Sequence, residues 1–315
     1  MLLWRRSANY WQGDDSLVIF DVGKSGALNR RSVIAGAASI GLVGVARAAD
    51  KLAERVACLE WTAAEMTLAL GIAPIGVGDT NDYGNWVVEP PMPKSVADLG
   101  SRFEPNRELL YRLAPDLVII SRGYGIDAAM IEPIAPTFEL TPIAPPGTSA
   151  LRHAAAEMER LARATGREAQ VVDVIAGMRR TVIDARERLA QRSIPPVCIL
   201  SLFDERAARV YVGGLFGDVM QKLGLSNAWT GKAGAWGFAQ VGIERLVVLE
   251  PETRLVILDP VPLPVRLNLE ESVLWRNLPV VRAREPARIP AVWPFGGLIA
   301  ASRFANELSK ALSEA

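Results

Sequence analysis

The sequence predicts an α/β protein made of two Rossmann-like lobes, joined by a long bridging helix, with a ligand cleft between the lobes. Three observations support this fold class. Apolar runs typical of buried strands alternate with helical patterns, which is the order that builds parallel sheets. Similar strand and helix units occur in both halves of the chain. Between the halves lies a segment rich in Ala, Arg and Glu that contains no proline, which favours helix.

The composition restricts the possible functions. The chain has 315 residues, of which 50% are hydrophobic, enough for one large or two ordinary domains. The formal net charge is zero, so no basic excess indicates a nucleic-acid or anionic membrane partner. His153 is the single histidine. This excludes histidine-rich zinc sites and argues against Ser-His-Asp or Cys-His catalysis, so we expect no metal ligands and no enzyme.

Residues 1–48 have the pattern of an export signal rather than of a folded element. Arg30 and Arg31 precede a weakly apolar stretch over residues 33–45, and the segment closes on Ala-Arg-Ala at 46–48. The apolar stretch is shorter than the roughly 20 residues that a membrane span needs. It resembles a twin-arginine signal, and we expect cleavage near Ala48 or Ala49.

The N-terminal lobe is predicted over residues 50–142. "VACLEWTAAEMTLALGI" reads as strand, turn and helix, and "EPNRELLYRLAPDLVII" as a short helix, a proline break and a buried strand. That strand runs into "SRGYG", where Gly123 and Gly125 flank Tyr124. Ligands bind beyond the carboxyl ends of parallel strands, and glycines allow a sharp loop. Tyr124 is therefore predicted to point into the cleft; a plain connecting loop with a packed tyrosine is the alternative.

The bridging helix is predicted over residues 148–166, and the C-terminal lobe over 167–315. Apolar residues recur at helical spacing within "LRHAAAEMERLARAT". The helical region extends to about residue 193, so two helices broken near Gly166 are the alternative. A helix that bridges the lobes would fix their separation and would allow only small closure motions.

The C-terminal lobe repeats the plan of the first. "VYVGGLFGDVMQKLGLSNAW" again reads as strand, helix and glycine, and "QVGIERLVVLEPETRLVIL" as short helix, proline and strand. Glu244 precedes its proline by seven residues, as Glu108 does in the first lobe. Cys58 and Cys198 each lie early in an apolar strand, so we predict buried small hydrophobic residues rather than a disulfide.

Aromatic residues gather at the predicted strand exits. Each has glycine or proline nearby, and the set is Trp61, Trp86, Trp236 and Trp293. They predict an aromatic-lined cleft, although a core position is the ordinary alternative for any one of them. Arg102 follows a glycine turn, and its guanidinium and the Tyr124 hydroxyl are suited to ligand oxygens. The alternative for Arg102 is a surface ion pair with Glu104 or Asp98.

Several stretches together resemble the periplasmic ferrichrome-binding family of ferric hydroxamate uptake. The similar stretches occur in the same order and include "SRFEPNRELL", "SRGYG", "SNAW", "WGFAQVGIERL", "LWRNLPVVRA" and "IPAVWPFGG". The resemblance implies a monomeric periplasmic protein without a cofactor. Its ligand would be an Fe(III)–siderophore complex, which it would pass to the permease and ATPase subunits of an inner-membrane ABC importer.

The resemblance also assigns roles to individual residues. The hydroxamate-contacting arginine and tyrosine correspond to Arg102 and Tyr124. The aromatic residues of the pocket correspond to Trp61, Trp86, Trp236, Trp293 and Phe295. Glu108 and Glu244 correspond to the glutamates that dock on the transporter; two ordinary surface glutamates are the alternative.

The chain also departs from the family pattern. Ile120 replaces a tryptophan, Phe295 a tyrosine, Phe238 a serine and Gly234 an asparagine, while Arg122 adds a charge beside Tyr124. The class of ligand, a ferric hydroxamate siderophore, is therefore better defined than the particular siderophore. The added charge of Arg122 suggests a siderophore that carries a carboxylate. Alternatives are a carrier of another iron chelate, of haem or of cobalamin with the same fold. An α/β enzyme is less favoured, since "GVGDTN" is only a partial dinucleotide fingerprint.

Overall fold

The computed structural model describes residues 53–314; the predicted export signal at residues 1–48 lies outside this range. The described chain contains two five-stranded sheets, one from each half. The strands of the first sheet are β1 Val56–Cys58, β2 Gly76–Val77, β3 Ala97–Asp98, β4 Leu117–Ser121 and β5 Thr137–Leu140. Those of the second are β6 Val197–Leu202, β7 Ala207–Tyr211, β8 Phe238–Gly242, β9 Arg254–Leu258 and β10 Ala287–Ile289.

The first sheet is parallel throughout, in the order β3-β2-β1-β4-β5. Central β1 pairs Cys58 with Val77 on one side and with Ile119 on the other. All residues of β1 and β4 are buried, as expected for strands that are covered on both faces. The strand order reverses between β1 and β4, and a crevice opens at such a point beyond the carboxyl ends of the strands.

Four helices accompany the first sheet: α1 Trp61–Ala69, α2 Thr80–Trp86, α3 Arg107–Leu113 and α4 Ala128–Ile131. Helix α1 begins directly after β1 because Glu60 caps it, accepting hydrogen bonds from the backbone N–H groups of Thr62 and Ala63. Asn106 caps α3 in the same way through the N–H of Leu109.

Two helices connect the halves, α5 Ala150–Thr165 and α6 Glu168–Leu189. Ser149 caps the start of α5, and Gly166, with φ of 65°, ends it in the left-handed conformation that favours glycine. Helix α5 packs against both β5 and α7, whereas α6 packs mainly against the last helix, α11. The helices of the second half are α7 Gly214–Lys222, α8 Leu263–Glu271, α9 Val273–Asn277, α10 Pro279–Ala283 and α11 Leu298–Ser313.

The second sheet is mixed, in the order β10-β9-β6-β7-β8. Strands β10, β9 and β6 are parallel, but β7 pairs antiparallel with both β6 and β8. This lobe therefore departs from a wholly parallel Rossmann sheet. The cause is local: the Asp204 carboxylate accepts hydrogen bonds from the N–H groups of Arg206 and Ala207, which closes a tight turn between β6 and β7.

The structure also bears on the cysteines and on membrane insertion. Cys58 and Cys198 are free and buried, as predicted, and burial raises the pKa of each thiol to about 12. Within residues 53–314, no helix combines the length and the apolarity that crossing a bilayer requires. Over the same residues, no group of three or more His, Cys, Asp or Glu side chains is placed to hold a metal ion.

Candidate functional site

The loops beyond the carboxyl ends of the first four strands bring together the polar part of the candidate site. Trp61 follows β1, Asp79 follows β2, Arg102 follows β3 and Tyr124 follows β4. In a parallel sheet these ends lie along one edge, so residues that are far apart in sequence become neighbours.

Arg102 lies at the centre of this group. Its Nε donates a hydrogen bond to Asp79 Oδ2 at 2.9 Å, and its backbone N–H donates to the same oxygen at 3.2 Å. Its guanidinium carbon stands 3.4 Å from the centroid of the Trp61 ring, a cation–π contact. The guanidinium is thus held both from the side and from below, and the predicted alternative of a pair with Glu104 or Asp98 is wrong.

The outer edge of this guanidinium remains available. Asp79 occupies Nε, and neither Nη atom makes a hydrogen bond within residues 53–314. These Nη atoms are also not fully buried, so they reach solvent. Two N–H groups in a fixed plane are suited to a pair of ligand oxygens.

Trp61 and Trp293 form the floor beneath Arg102. Their rings meet edge to face at 4.9 Å, and their exposed fractions are only 2% and 8%. The Trp61 indole N–H is shared between the carbonyl oxygens of Gly78 and Asp79, while that of Trp293 donates to Thr62 Oγ1. These two tryptophans are parts of the core that support the site, rather than walls of an open cleft.

Tyr124 stands beside Arg102 on the Gly-Tyr-Gly loop. Gly123 and Gly125 have φ of 98° and 79°, conformations that favour glycine. The Tyr124 ring stacks at 5.5 Å on Phe103 and lies 5.9 Å from the Arg102 guanidinium. Burial, reinforced by the charge of Glu60, raises the pKa of the Tyr124 hydroxyl although Arg102 opposes the shift, so the phenol remains a hydrogen-bond donor.

Glu60 joins the two loops that carry Trp61 and Tyr124. Besides capping α1, its Oε1 accepts a hydrogen bond from Ser121 Oγ, at the end of β4, at 2.6 Å. Burial raises the pKa of this carboxyl, although the hydrogen bonds that it accepts oppose the shift. Because it ties β1 to β4 across the switch point, Glu60 positions the site from below.

The second lobe contributes Trp236 and Phe295. The Trp236 ring lies 6.3 Å from Tyr124 and 5.0 Å from Phe295, which in turn lies 5.1 Å from Trp293. Trp236 also covers the glycine loop, since a Cβ at Gly123 would lie 3.3 Å from its Cζ2. The aromatic cluster, defined as Trp61, Phe103, Tyr124, Trp236, Trp293 and Phe295, is therefore shared by both halves.

A cavity of about 700 Å³ adjoins this cluster. It is lined by Trp236 and Phe295, by the loop at 142–148 and by the start of α7. Arg102 and Tyr124 do not line it. The Arg102–Tyr124 surface is better suited to a polar ligand, because it presents hydrogen-bond donors whereas most of the cavity lining is glycine, proline and alanine.

Other predicted residues lie outside the aromatic cluster. Trp86 instead stacks at 5.6 Å on Phe203, which follows β6 of the second lobe. Arg122 is mostly exposed and pairs with Glu139 at 2.6 Å. Glu108 and Glu244 are both exposed, Glu108 on α3 and Glu244 on a 3-10 helix, Ile243–Val248.

Sequence reasoning missed the residues that orient the site. No sequence pattern indicated Asp79 and Glu60, although each lies two residues beyond an apolar strand and precedes a helical pattern. Phe103, which is 61% exposed beside Tyr124, is the residue after Arg102. Acidic residues at strand exits were the signal that could have identified Asp79 and Glu60.

Two α/β lobes that share one site, which the first lobe builds beyond the ends of its strands, define a bilobal ligand-binding protein. Residues 56–284 match the family described as Periplasmic binding protein. The chain belongs to this family.

Known relatives are similar over most of the chain. The iron(3+)-hydroxamate-binding protein FhuD of Escherichia coli (strain K12) is 34% identical over 261 residues, covering 82% of this chain and 86% of FhuD. The Fe(3+) dicitrate-binding periplasmic protein FecB of the same organism is 26% identical over 83% of this chain and 85% of FecB. The crystal structure of FhuD from Vibrio cholerae with Fe3+-Desferal superposes with a TM-score of 0.76 at 28% identity, covering 82% of this chain and 98% of that one.

Proposed function

We propose that this chain captures ferric hydroxamate siderophores in the periplasm and delivers them to an inner-membrane ABC importer. The observation that carries the proposal is the Arg102–Tyr124 pair above its aromatic floor, in a chain 34% identical to an iron(3+)-hydroxamate-binding protein. Siderophore capture needs no chemical step, and the relatives are binding proteins rather than enzymes.

The proposed mechanism uses the protein to hold oxygens that already coordinate iron. Ferric iron prefers oxygen ligands, and the siderophore supplies them. The two Nη groups of Arg102 would donate charge-assisted hydrogen bonds to hydroxamate oxygens, each stabilising the complex by roughly 1.5–3 kcal/mol. The Tyr124 hydroxyl would donate a third. Trp236 and Phe295, both partly exposed, would contact the apolar backbone of the siderophore.

The structure does not strengthen the suggestion that the siderophore carries a carboxylate. That suggestion rested on the added charge of Arg122, but Glu139 pairs with this arginine at 2.6 Å. A ligand carboxylate would have to compete with Glu139. We therefore propose a hydroxamate complex of low net charge, and the haem, cobalamin and enzyme alternatives have no specific feature of the site in their favour.

Delivery would use the two exposed glutamates. Glu108 and Glu244 begin short helical segments in different lobes, and we propose that they pair with arginines of the permease dimer. We also propose that the protein is a monomer, that residues 1–48 act as an export signal, and that the mature protein works in the periplasm.

A titration of the purified protein tests the proposed ligand class. Tryptophan fluorescence is followed while ferrichrome, ferrioxamine or ferric aerobactin is added, with iron-free ferrioxamine as the control. Saturable quenching by a hydroxamate complex, and much weaker quenching by the iron-free compound, is the expected result. No saturable response to any of the three complexes would remove the support for this function.

A further inference from the structure

A second polar pocket, rich in arginine, lies in the second half of the chain, away from the aromatic cluster. It has a volume of about 250 Å³ and is lined by Arg192, Ser193, Ile194, Pro195, Arg254, Arg284 and Leu312. It is located where β6 and β9 begin and where α6 and α11 end. The siderophore site instead uses strand ends of the first sheet, so the two sites are separate.

Arg254 is the central residue of this pocket. It is the first residue of β9, and its Nη1 donates a hydrogen bond to the carbonyl oxygen of Glu285 at 2.9 Å. Its Nε is buried and has no hydrogen-bond partner among residues 53–314. A buried N–H without an acceptor is costly, so Arg254 keeps an unsatisfied donor next to the pocket.

Within residues 53–314, no negative charge compensates the arginines of this pocket. In the part of the chain that the structure describes, no carboxylate oxygen lies within 4.0 Å of the guanidinium nitrogens of Arg192, Arg254 or Arg284. Arg288, on the adjacent strand, does pair with Asp259. Burial lowers the pKa of Arg254, and the positive charge of Arg284 lowers it further. Like charges that line one pocket repel each other, and this repulsion opposes the placement of the two guanidinium groups together.

We propose that this pocket binds a small oxyanion, such as inorganic phosphate or sulfate, between Arg254 and Arg284, with Arg192 at the rim. Planar guanidinium groups bind tetrahedral oxyanions through paired N–H donors. One such anion would accept hydrogen bonds from the guanidinium groups of Arg254 and Arg284 and would remove the repulsion between them. The Ser193 hydroxyl is a further donor in the lining.

Binding at this pocket stabilises the second lobe without touching the siderophore. A ligand that binds only the folded protein raises its stability by mass action. At ten times the dissociation constant, Tm is expected to rise by about 2–4 °C for a protein of this size. Sulfate and phosphate also stabilise proteins in general by exclusion from their surfaces, so the test needs variants that separate the two effects.

The experiment measures Tm of the full chain in sodium phosphate and in sodium sulfate, with sodium chloride of the same ionic strength as the reference. Arg284→Gln removes one pocket cation. Arg282→Gln is the matched control, since Arg282 is exposed and does not line the pocket. Wild type and Arg282→Gln are expected to show the full rise, and Arg284→Gln only the small general effect.

The reference condition provides a second, independent readout. In chloride, Arg284→Gln is expected to be at least as stable as wild type, because the substitution removes the repulsion from Arg254. Calorimetric titration with phosphate should show one site in wild type that is lost in this variant, while ferrioxamine affinity is the same in both. An equal rise of Tm in wild type and Arg284→Gln, or no rise with either anion, would overturn the proposal.

Discussion

At the residue scale, the site depends on one arginine whose orientation is set by its neighbours. Asp79 occupies Nε and Trp61 lies beneath the guanidinium plane, so only the Nη edge is presented outward. Arg102 therefore loses little conformational freedom when it binds, which favours affinity. Arg122, which lies closer to Tyr124 in sequence, has its charge compensated by Glu139.

Replacing this arginine should weaken siderophore binding strongly. Arg102→Ala removes two charge-assisted donors worth roughly 1.5–3 kcal/mol each, so we expect the dissociation constant for ferrioxamine to rise at least about 100-fold. Arg122→Ala is the matched control and should leave the constant unchanged within about twofold. Fluorescence titration measures both variants. Unchanged affinity in Arg102→Ala would mean that the ligand binds elsewhere, for example in the 700 Å³ cavity.

Tyr124 is expected to act only as a neutral donor. Tyr124→Phe should weaken ferrioxamine binding by about three- to tenfold, the contribution of one neutral hydrogen bond. The pKa of the phenol is raised, chiefly by burial, so it stays protonated and affinity should not vary between about pH 6 and 9 through this group. If the affinity of the wild type changed with pH over that range and the affinity of Tyr124→Phe did not, Tyr124 would not be a neutral donor.

At the element scale, α1 connects the first sheet to the last helix. Thr62 Oγ1 donates a hydrogen bond to the Phe295 carbonyl at 2.9 Å. Glu65 Oε1 accepts the N–H groups of Gly297 and Ala300, where α11 begins. Burial raises the pKa of the Glu65 carboxyl to about 8. This carboxyl is thus a proton-dependent contact between the two halves.

Glu65 should make stability fall as pH rises. Its pKa when folded, about 8, exceeds the usual value of about 4.3 expected when unfolded. The folded state therefore binds the extra proton, and unfolding free energy falls between these two pH values. Glu65→Gln keeps the acceptor oxygen but cannot ionise, so it should gain stability relative to wild type from about pH 5 to 8.

Urea denaturation at several pH values measures this difference. Glu104→Gln, at an exposed position, is the control and should follow wild type throughout. A constant difference between Glu65→Gln and wild type across this range would show that the carboxyl does not change its protonation on folding.

At the scale of the whole molecule, two lobes meet at one site while each presents its own exposed glutamate. Trp236 from the second lobe covers the glycine loop of the first, and Trp86 meets Phe203 at a separate contact between the lobes. Any relative movement of the lobes would therefore change both contacts and the access to Arg102.

Reversing the charge of the docking glutamates should separate delivery from capture. The double variant Glu108→Lys, Glu244→Lys is expected to reduce cellular uptake of ferric siderophore at least about tenfold, because it would face permease arginines with like charge. The ferrioxamine affinity of the purified protein should not change. Glu250→Lys, at another exposed position near Glu244, should transport normally. Normal uptake by the double variant would assign docking to other residues.

The sequence by itself determined the features that depend on residues close together along the chain. Apolar runs predicted the strands, Gly166 marked a possible helix break, and the glycines around Tyr124 indicated the sharp loop, because burial and backbone conformation are encoded locally. The resemblance to a known family supplied the roles of Arg102 and Tyr124, and the family itself was then confirmed.

Only the tertiary structure decided which residues meet. Asp79 lies 23 residues from Arg102, and Glu60 lies 61 residues from Ser121. Such pairs depend on the order of strands in the sheet, and no local pattern in the sequence records that order. The same reason explains why Trp86 lies apart from the other tryptophans, and why Arg254 and Arg284, 30 residues apart in sequence, share a pocket.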